Sequence, residues 1–286
     1  STGLAAVKAW LAAVTSDAAT LTNATSTTTL DSLLSTVKSN VASTGSTFTL
    51  TFNADTATAN VFEGHSVVTQ VGALVDTLQS ADKLTGTGTN PTLNATLSSA
   101  VVAAPTLSGI ETLNVQAQVA ARTLDLSKAA GLKTLSVDAS QQSLTARGIQ
   151  NAVAVEVKNS VDVGVTEMDT LVQFADSVVS GTTDVAKLTL TSNGNASVGS
   201  DQFINLRGTA TGGFETLEIT ANGTNRIAEV LSDSTVGLDA TATAANAVRT
   251  IKVSGEGSLR VDNALTSTTT FDASANKGGV NVGLDN

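Results

Sequence analysis

The chain has 286 residues, a formal net charge of −10 and no cysteine. Disulfide frameworks, thiol chemistry and cysteine-based metal centres are therefore excluded, and the basic stripe that a nucleic acid requires is missing. Hydrophobic residues make up 41% but aromatics only 3%, so Ala, Val, Leu and Thr must fill the interior, which suits thin, regular β layers better than an aromatic-rich enzyme core.

The length allows one large domain or two medium ones. No apolar run reaches the ~18 residues of a membrane span. Residues 1–42 differ from the rest. Leu4, Val7, Trp10, Leu11 and Val14 follow helical spacing, and Leu30, Leu33, Leu34, Val37 and Val41 share one face. With the polar stretch Thr20–Thr29 between them, these read as two amphipathic helices. The plainer role is a helical hairpin capping the end of a β array; the sharper one is an assembly element.

Residues 43–106 read as a β-rich unit, with strands over Phe48–Phe52 and Ala59–Phe62 and a turn at Glu63-Gly64-His65. His65 is the sole histidine; without a second histidine or a cysteine to share a metal, it reads as a surface turn residue. Residues 76–97 form a Gly/Thr/Asn loop that lacks the glycine spacing of a phosphate-binding loop. Its oxygen donors are Asp76, Asp82 and Asn90. Either they bind calcium, a hard cation suited to hard oxygens, or they cap ordinary turns.

Residues 107–286 read as a repetitive β array. Glu111–Val115, Thr123–Leu126 and Leu132–Val137 alternate apolar with polar residues, the period of half-buried strands. The first run recurs as Glu215–Ile219, the third as Val248–Val253, and Asp138-Ala139-Ser140 returns as Asp272-Ala273-Ser274. Further strands are expected over Val153–Lys158, Val161–Val165, Lys187–Leu190, Phe203–Leu206, Ser258–Val261, Thr269–Asp272 and Val280–Val282. Asp169–Phe174 fits strand or helix. Asn193-Gly194-Asn195 reads as a tight strand-joining turn. Ile227, Val230 and Leu231 suggest a short helix inserted over Asn225–Ser232. Units recurring at irregular spacing mark a degenerate stacked array. The expected fold is mainly β: a β-solenoid resembling a parallel β-helix, or a β-sandwich array, with a small N-terminal helical segment.

Asp233, Asp239, Asp262, Asp272 and Asp285 fall at or near strand ends. Stacked at solenoid corners they would offer converging oxygens to calcium; singly they are solvated turn residues. Glu111, Glu215 and Glu218 sit inside repeating strands. A scaffold role is simpler for them than the paired carboxylates, ~5–9.5 Å apart, of a glycosidase.

Three stretches carry a family likeness: Val75–Asn90, Thr92-Leu93-Asn94-Ala95, and Leu107-Ser108-Gly109-Ile110-Glu111-Thr112-Leu113-Asn114-Val115. They resemble the repeat region of Gram-negative surface-layer proteins and of large RTX-type surface proteins exported by type I secretion. Thr47–Thr51 followed by Ala54-Asp55 resembles the unit that often precedes that region. The resemblance implies an extracellular, cell-surface, non-enzymatic lattice protein or adhesin, stabilised by calcium. Its expected partners are further copies, other surface-layer subunits or cell-surface polysaccharide. The chain departs from the family at Gly86-Thr87-Gly88-Thr89-Asn90-Pro91, where the family's aspartate is missing. The calcium ligands expected on these grounds are Asp76, Asp82, Asn90, Asp239, Asp262 and Asp272.

Overall fold

A computed structural model describes residues 2–33, 46–160, 168–194, 202–209, 213–231, 248–265 and 268–284. The alternating runs stack as rungs of a parallel β-solenoid. Ten strands form one sheet, in chain order: Thr47–Thr49, Val61–Gly64, Thr92–Leu97, Thr112–Ala117, Thr134–Asp138, Ala154–Lys158, Val185–Thr191, Thr216–Asn222, Thr250–Gly255 and Thr270–Asn276. Every neighbouring pair in it is parallel. Parallel neighbours need a crossover, and here short strands of flanking sheets provide it.

One flanking sheet holds Thr56–Ala59, Lys83–Gly86, Thr106–Ser108 and Ala129–Ala130. A second holds Arg122–Asp125, Leu144–Ile149, Thr170–Phe174, Phe203–Arg207 and Glu229–Leu231. A third holds Thr224–Ile227, Ser258–Leu265 and Val280–Leu284. Of the two architectures expected, the parallel ladder selects the solenoid. An antiparallel hairpin, Ser66–Val68 with Leu74–Asp76, is inserted into one rung.

The register makes the core. Phe48, Phe62, Leu93, Leu113, Leu135, Val155, Leu188, Ile219 and Val253 are stacked partners in one inward row. Ala95, Val115, Val137, Val157, Leu190 and Ala221 form a second. A one-residue slip would turn both rows outward, so burial pins the register. Each buried Leu or Val contributes about 1.5–3 kcal/mol relative to exposure, which lets a core almost without aromatics hold.

Two of the three recurring motifs occupy equivalent places, whereas Asp138-Ala139-Ser140 leaves the end of a strand and Asp272-Ala273-Ser274 lies inside one. Thr112 and Thr216 each open a central strand directly after the glutamate of their motif, and Leu132–Val137 and Val248–Val253 each lead into one. The rung from Thr92 to Thr112 is short, whereas that from Thr216 to Thr250 carries a long excursion, so the repeat is degenerate.

Two corners are set by columns of glycine. A Cβ on Gly86 would lie 2.5 Å from the Gly109 carbonyl oxygen, and one on Gly131 would lie 3.3 Å from Gly109 Cα. At the other corner, a Cβ on Gly257 would overlap the Gly223 carbonyl, and one on Gly278 would overlap Gly257 backbone. Backbones on neighbouring rungs touch there, leaving no room for a side chain.

Several expectations are corrected. The Gly/Thr/Asn loop over 76–97 contains two strands, Lys83–Gly86 and Thr92–Leu97. Glu63 and Gly64 close a strand rather than opening a turn. The helix expected over Asn225–Ser232 is two strands, Thr224–Ile227 and Glu229–Leu231: Asn225 is buried with Ile227, so the real period is two. Asp169–Phe174 resolves as strand, over Thr170–Phe174. Asn193-Gly194 lies between parallel rungs, not in a hairpin. The central sheet passes without a break across the boundary expected at 106. The strand expected over Val161–Val165 lies outside the described residues.

At the N-terminus, Thr2–Ala12 and Ala18–Thr25 are helical, as are residues 27–33; the rest of the second expected helix lies outside the described residues. The stretch read as a polar connection therefore holds a helix. The Asp17 side chain caps it by accepting the Ala19 N–H at 2.9 Å. Trp10 Nε1 donates to the Ala24 carbonyl at 3.1 Å and ties the first helix to the second.

Candidate functional site: the polar face and the turn carboxylates

The outward positions of the central strands form a flat polar face. Asn94 Nδ2 donates to Glu63 Oε1 at 2.8 Å, and Asn114 Nδ2 donates to Asn94 Oδ1 at 2.7 Å, an amide ladder running across rungs. Gln116 Nε2 donates to the Ala139 carbonyl at 2.7 Å. A shallow groove follows this ladder, lined by Glu63, His65, Asn94, Thr96, Asn114, Gln116 and Asp138 among others. Farther along, Lys187, Glu218, Lys252 and Asp272 stand in register with alternating sign, and Lys252 Nζ lies 3.4 Å from Glu218 Oε1. Exposed pairs of this kind each contribute at most about 1 kcal/mol, but they keep the face free of a single-sign field.

Of the expected calcium ligands, Asp82 and Asn90 sit in turns, Asp76 ends a strand, and Asp262 and Asp272 lie within strands; each accepts at least one hydrogen bond or ion pair from the chain itself. Asp76 accepts the Ser66 hydroxyl at 2.7 Å, the Ser98 N–H at 2.8 Å and the Ser99 N–H at 3.0 Å, binding the hairpin to the next turn. Asp82 is fully buried and accepts the Asp55 N–H at 2.9 Å and the Gln79 N–H at 2.8 Å. Burial raises its pKa, against the pull of those two donors. Asn90 adopts φ 51°, a left-handed turn conformation, and its Oδ1 accepts the Thr112 hydroxyl at 3.0 Å. Asp262 accepts from Arg226 Nε at 2.8 Å and Arg260 Nε at 2.6 Å. Asp272 accepts the Ser274 N–H at 2.9 Å, and its pKa is lowered mainly by hydrogen bonding to Ser274. Asp239, with Asp233 and Asp285, lies outside the described residues.

Calcium takes six to eight oxygens. Asp76, Asp82, Asn90, Asp262 and Asp272 instead meet N–H, hydroxyl and guanidinium donors. Among the described residues no three His, Asp or Glu side chains group to hold a metal. In the structure these five are hydrogen-bond and ion-pair partners within the array.

The glutamates are also engaged structurally. Glu111 pairs with Lys133 at 2.6 Å and Glu218 with Lys252, and Glu215 accepts the Asp184 N–H at 2.8 Å. His65 is exposed at a rung end, its backbone N–H donating to the Thr77 hydroxyl at 2.8 Å.

The burial of three polar side chains escaped the sequence reading. Asn193 and Asn225 are both buried and stack one above the other, with Asn193 Nδ2 donating to Asn225 Oδ1 at 3.1 Å and to the Val157 carbonyl at 2.6 Å. Glu229 is also buried, and its Oε2 accepts from Asn263 Nδ2 at 3.3 Å.

These groups yield two expected outcomes. Asp82→Asn sets an NH2 against one of two buried N–H donors and costs about 1–3 kcal/mol, read as a lower urea midpoint; an unchanged midpoint would contradict the bonding described. Burial raises the Glu229 pKa above its ordinary 4.5. The folded state thus holds the proton more tightly than the unfolded state, so stability falls as pH rises from about that value through the raised one. Glu229→Gln removes this loss, so its melting temperature exceeds the parent's at neutral pH and the gap closes in acid. A constant gap would contradict the sign.

Comparison with protein-family models, with curated proteins and with solved structures finds no match to this chain.

Proposed function

We propose that this chain is a non-enzymatic structural segment of an extracellular bacterial surface protein, either a surface layer or an adhesin. In this reading it works by associating with further copies or other surface-layer subunits at the cell surface. The observation that carries the reading is the unbroken ladder of ten parallel strands, aliphatic within and Thr-, Asn- and Ser-rich without. Such an array gives the chain length and stiffness and leaves a broad polar surface to face water or a neighbour. Fold alone does not confer function; the motif resemblance over 75–140 supplies the surface setting. Calcium at Asp76, Asp82, Asn90, Asp262 and Asp272 forms no part of the reading.

Electron microscopy of the purified chain over a concentration series tests it. Regular fibres or sheets are expected; separate single particles at every concentration would overturn it.

A carbohydrate-binding adhesive module is the second reading, favoured by the groove along Asn94 and Asn114. Its amides, carboxylates and hydroxyls match the hydrogen-bonding needs of sugar hydroxyls without an aromatic platform. Glycan-array binding that Asn114→Ala abolishes would support it, and an empty array would remove it.

A further inference from the structure

The two ends of the central sheet carry the same pattern. Among the described residues, Thr47–Thr49 pairs in the sheet only with Val61–Gly64, and Thr270–Asn276 only with Thr250–Gly255. Among the described residues each strand thus has a side that pairs with no other, a template for another strand. The Leu50 N–H donates inward to the Glu63 carbonyl at 2.8 Å and the Thr270 N–H to the Arg249 carbonyl at 3.0 Å. Alternation along a strand therefore turns the N–H groups of Thr49 and Phe271 to the free sides.

Among the described residues, none covers the core at the last rung. Phe271, Ala273, Val280 and Val282 pack against it but are only partly buried, and Leu284 is 48% exposed. At the first rung Phe48 is likewise partly buried, with its ring tilted 58° against Phe62 at 6.3 Å. Single-molecule solenoids blunt such edges with proline, lysine or a covering segment. Neither Thr47-Phe48-Thr49 nor Thr270-Phe271-Asp272 contains proline or lysine.

We propose that the last rung of one molecule receives the first rung of a second copy, in parallel register, with Thr270 beside Thr47, Phe271 beside Phe48 and Asp272 beside Thr49. This rests on the self-association reading above and names the surface. The register follows from the free-side groups: the N–H groups of Thr49 and Phe271 both face outward, which in a parallel ladder sets Phe271 opposite Phe48. It sets Phe271, which ends the inward row of Leu217 and Ile251, against Phe48, which opens the row of Phe62 and Leu93. The matched stretch is short at both ends, because the ladder slips after Lys252, opposite Asp272. The two surfaces differ, so the contact is head-to-tail and grows an open fibre.

The test uses two variants, each blocked at one end. Thr49→Pro removes a free-side N–H that the molecule does not use internally, and Thr49→Asp, which keeps the backbone and sets a charge against Asp272 of the second copy, replaces it should proline disturb the fold. Phe271→Lys puts a charge on the open end of the core. Far-UV circular dichroism checks that each variant folds. Sedimentation velocity should show the parent chain growing with concentration and each variant alone as a monomer. An equal mixture of the two should form a dimer that grows no further, because only one free first rung and one free last rung remain. A mixture that stays monomeric while the parent associates overturns this proposal and leaves self-association to another surface. Association of either variant alone also overturns it. A parent that stays monomeric sinks both this proposal and the self-association reading.

Discussion

Leu135→Ala lowers the unfolding free energy by about 2–5 kcal/mol. Leu135 is fully buried between its stacked partners Leu113 and Val155. The rungs above and below are fixed by their own hydrogen-bonded neighbours and cannot close over the missing isobutyl group. The cost therefore includes a retained cavity as well as lost transfer energy. Thr134, one position earlier, points outward, and Thr134→Ala changes stability by less than about 0.5 kcal/mol. Urea midpoints of the two variants check the contrast; equal midpoints would show that the inward row is not the core. Because a solenoid is held rung by rung, the loss should also appear locally, as faster amide exchange in the strands of Leu113 and Val155 than in that of Ile251.

Gly257→Ala produces the second large effect. A Cβ there would overlap Gly223 backbone, and Gly278 stacks on the other side of Gly257. Neighbouring rungs must move apart at that corner, at a cost on the order of 3 kcal/mol, or a fall of roughly 6–12 °C in melting temperature. Gly279 offers the control. It has φ +91° but nothing within 4 Å of the added Cβ, so Gly279→Ala bears only conformational strain, about 1–2 kcal/mol. Comparable losses for the two variants would remove close rung contact as the reason for the glycine column.

The ladder itself was legible. Glu111–Val115 and Glu215–Ile219 alternate cleanly because their inward residues are Leu, Val and Ile, and both enter the central sheet. Legibility ended where a polar residue faced inward. Asn225 is buried to complete an amide stack, which broke the alternation and made Ile227, Val230 and Leu231 look helical. The helix over Ala18–Thr25 was hidden for the opposite reason. Its threonines weaken helix propensity, yet the Thr22 and Thr25 hydroxyls donate back to the Ala18 and Leu21 carbonyls at 2.9 Å and 2.8 Å.

The aspartates show a further limit. Asp76 and Asp82 were visible as turn oxygens, but a carboxylate that waits for a cation and one already filled by N–H groups look alike in sequence. The N–H donors on Asp76 come from Ser98 and Ser99, and one of those on Asp82 comes from Asp55, residues that stacking of rungs brings close. The glycine columns were hidden in the same way. Gly86, Gly109 and Gly131 meet only once the intervening loops are counted out.

The most direct test of the central claim is the solution mass of the chain by light scattering across a concentration series, in millimolar calcium and again in excess chelator. The account predicts a mass that grows with concentration in both conditions, because the contact proposed is between strand edges and not through an ion. A single-chain mass at every concentration in both would contradict assembly by this segment. Growth that calcium drives and chelator reverses would contradict the edge contact as its cause.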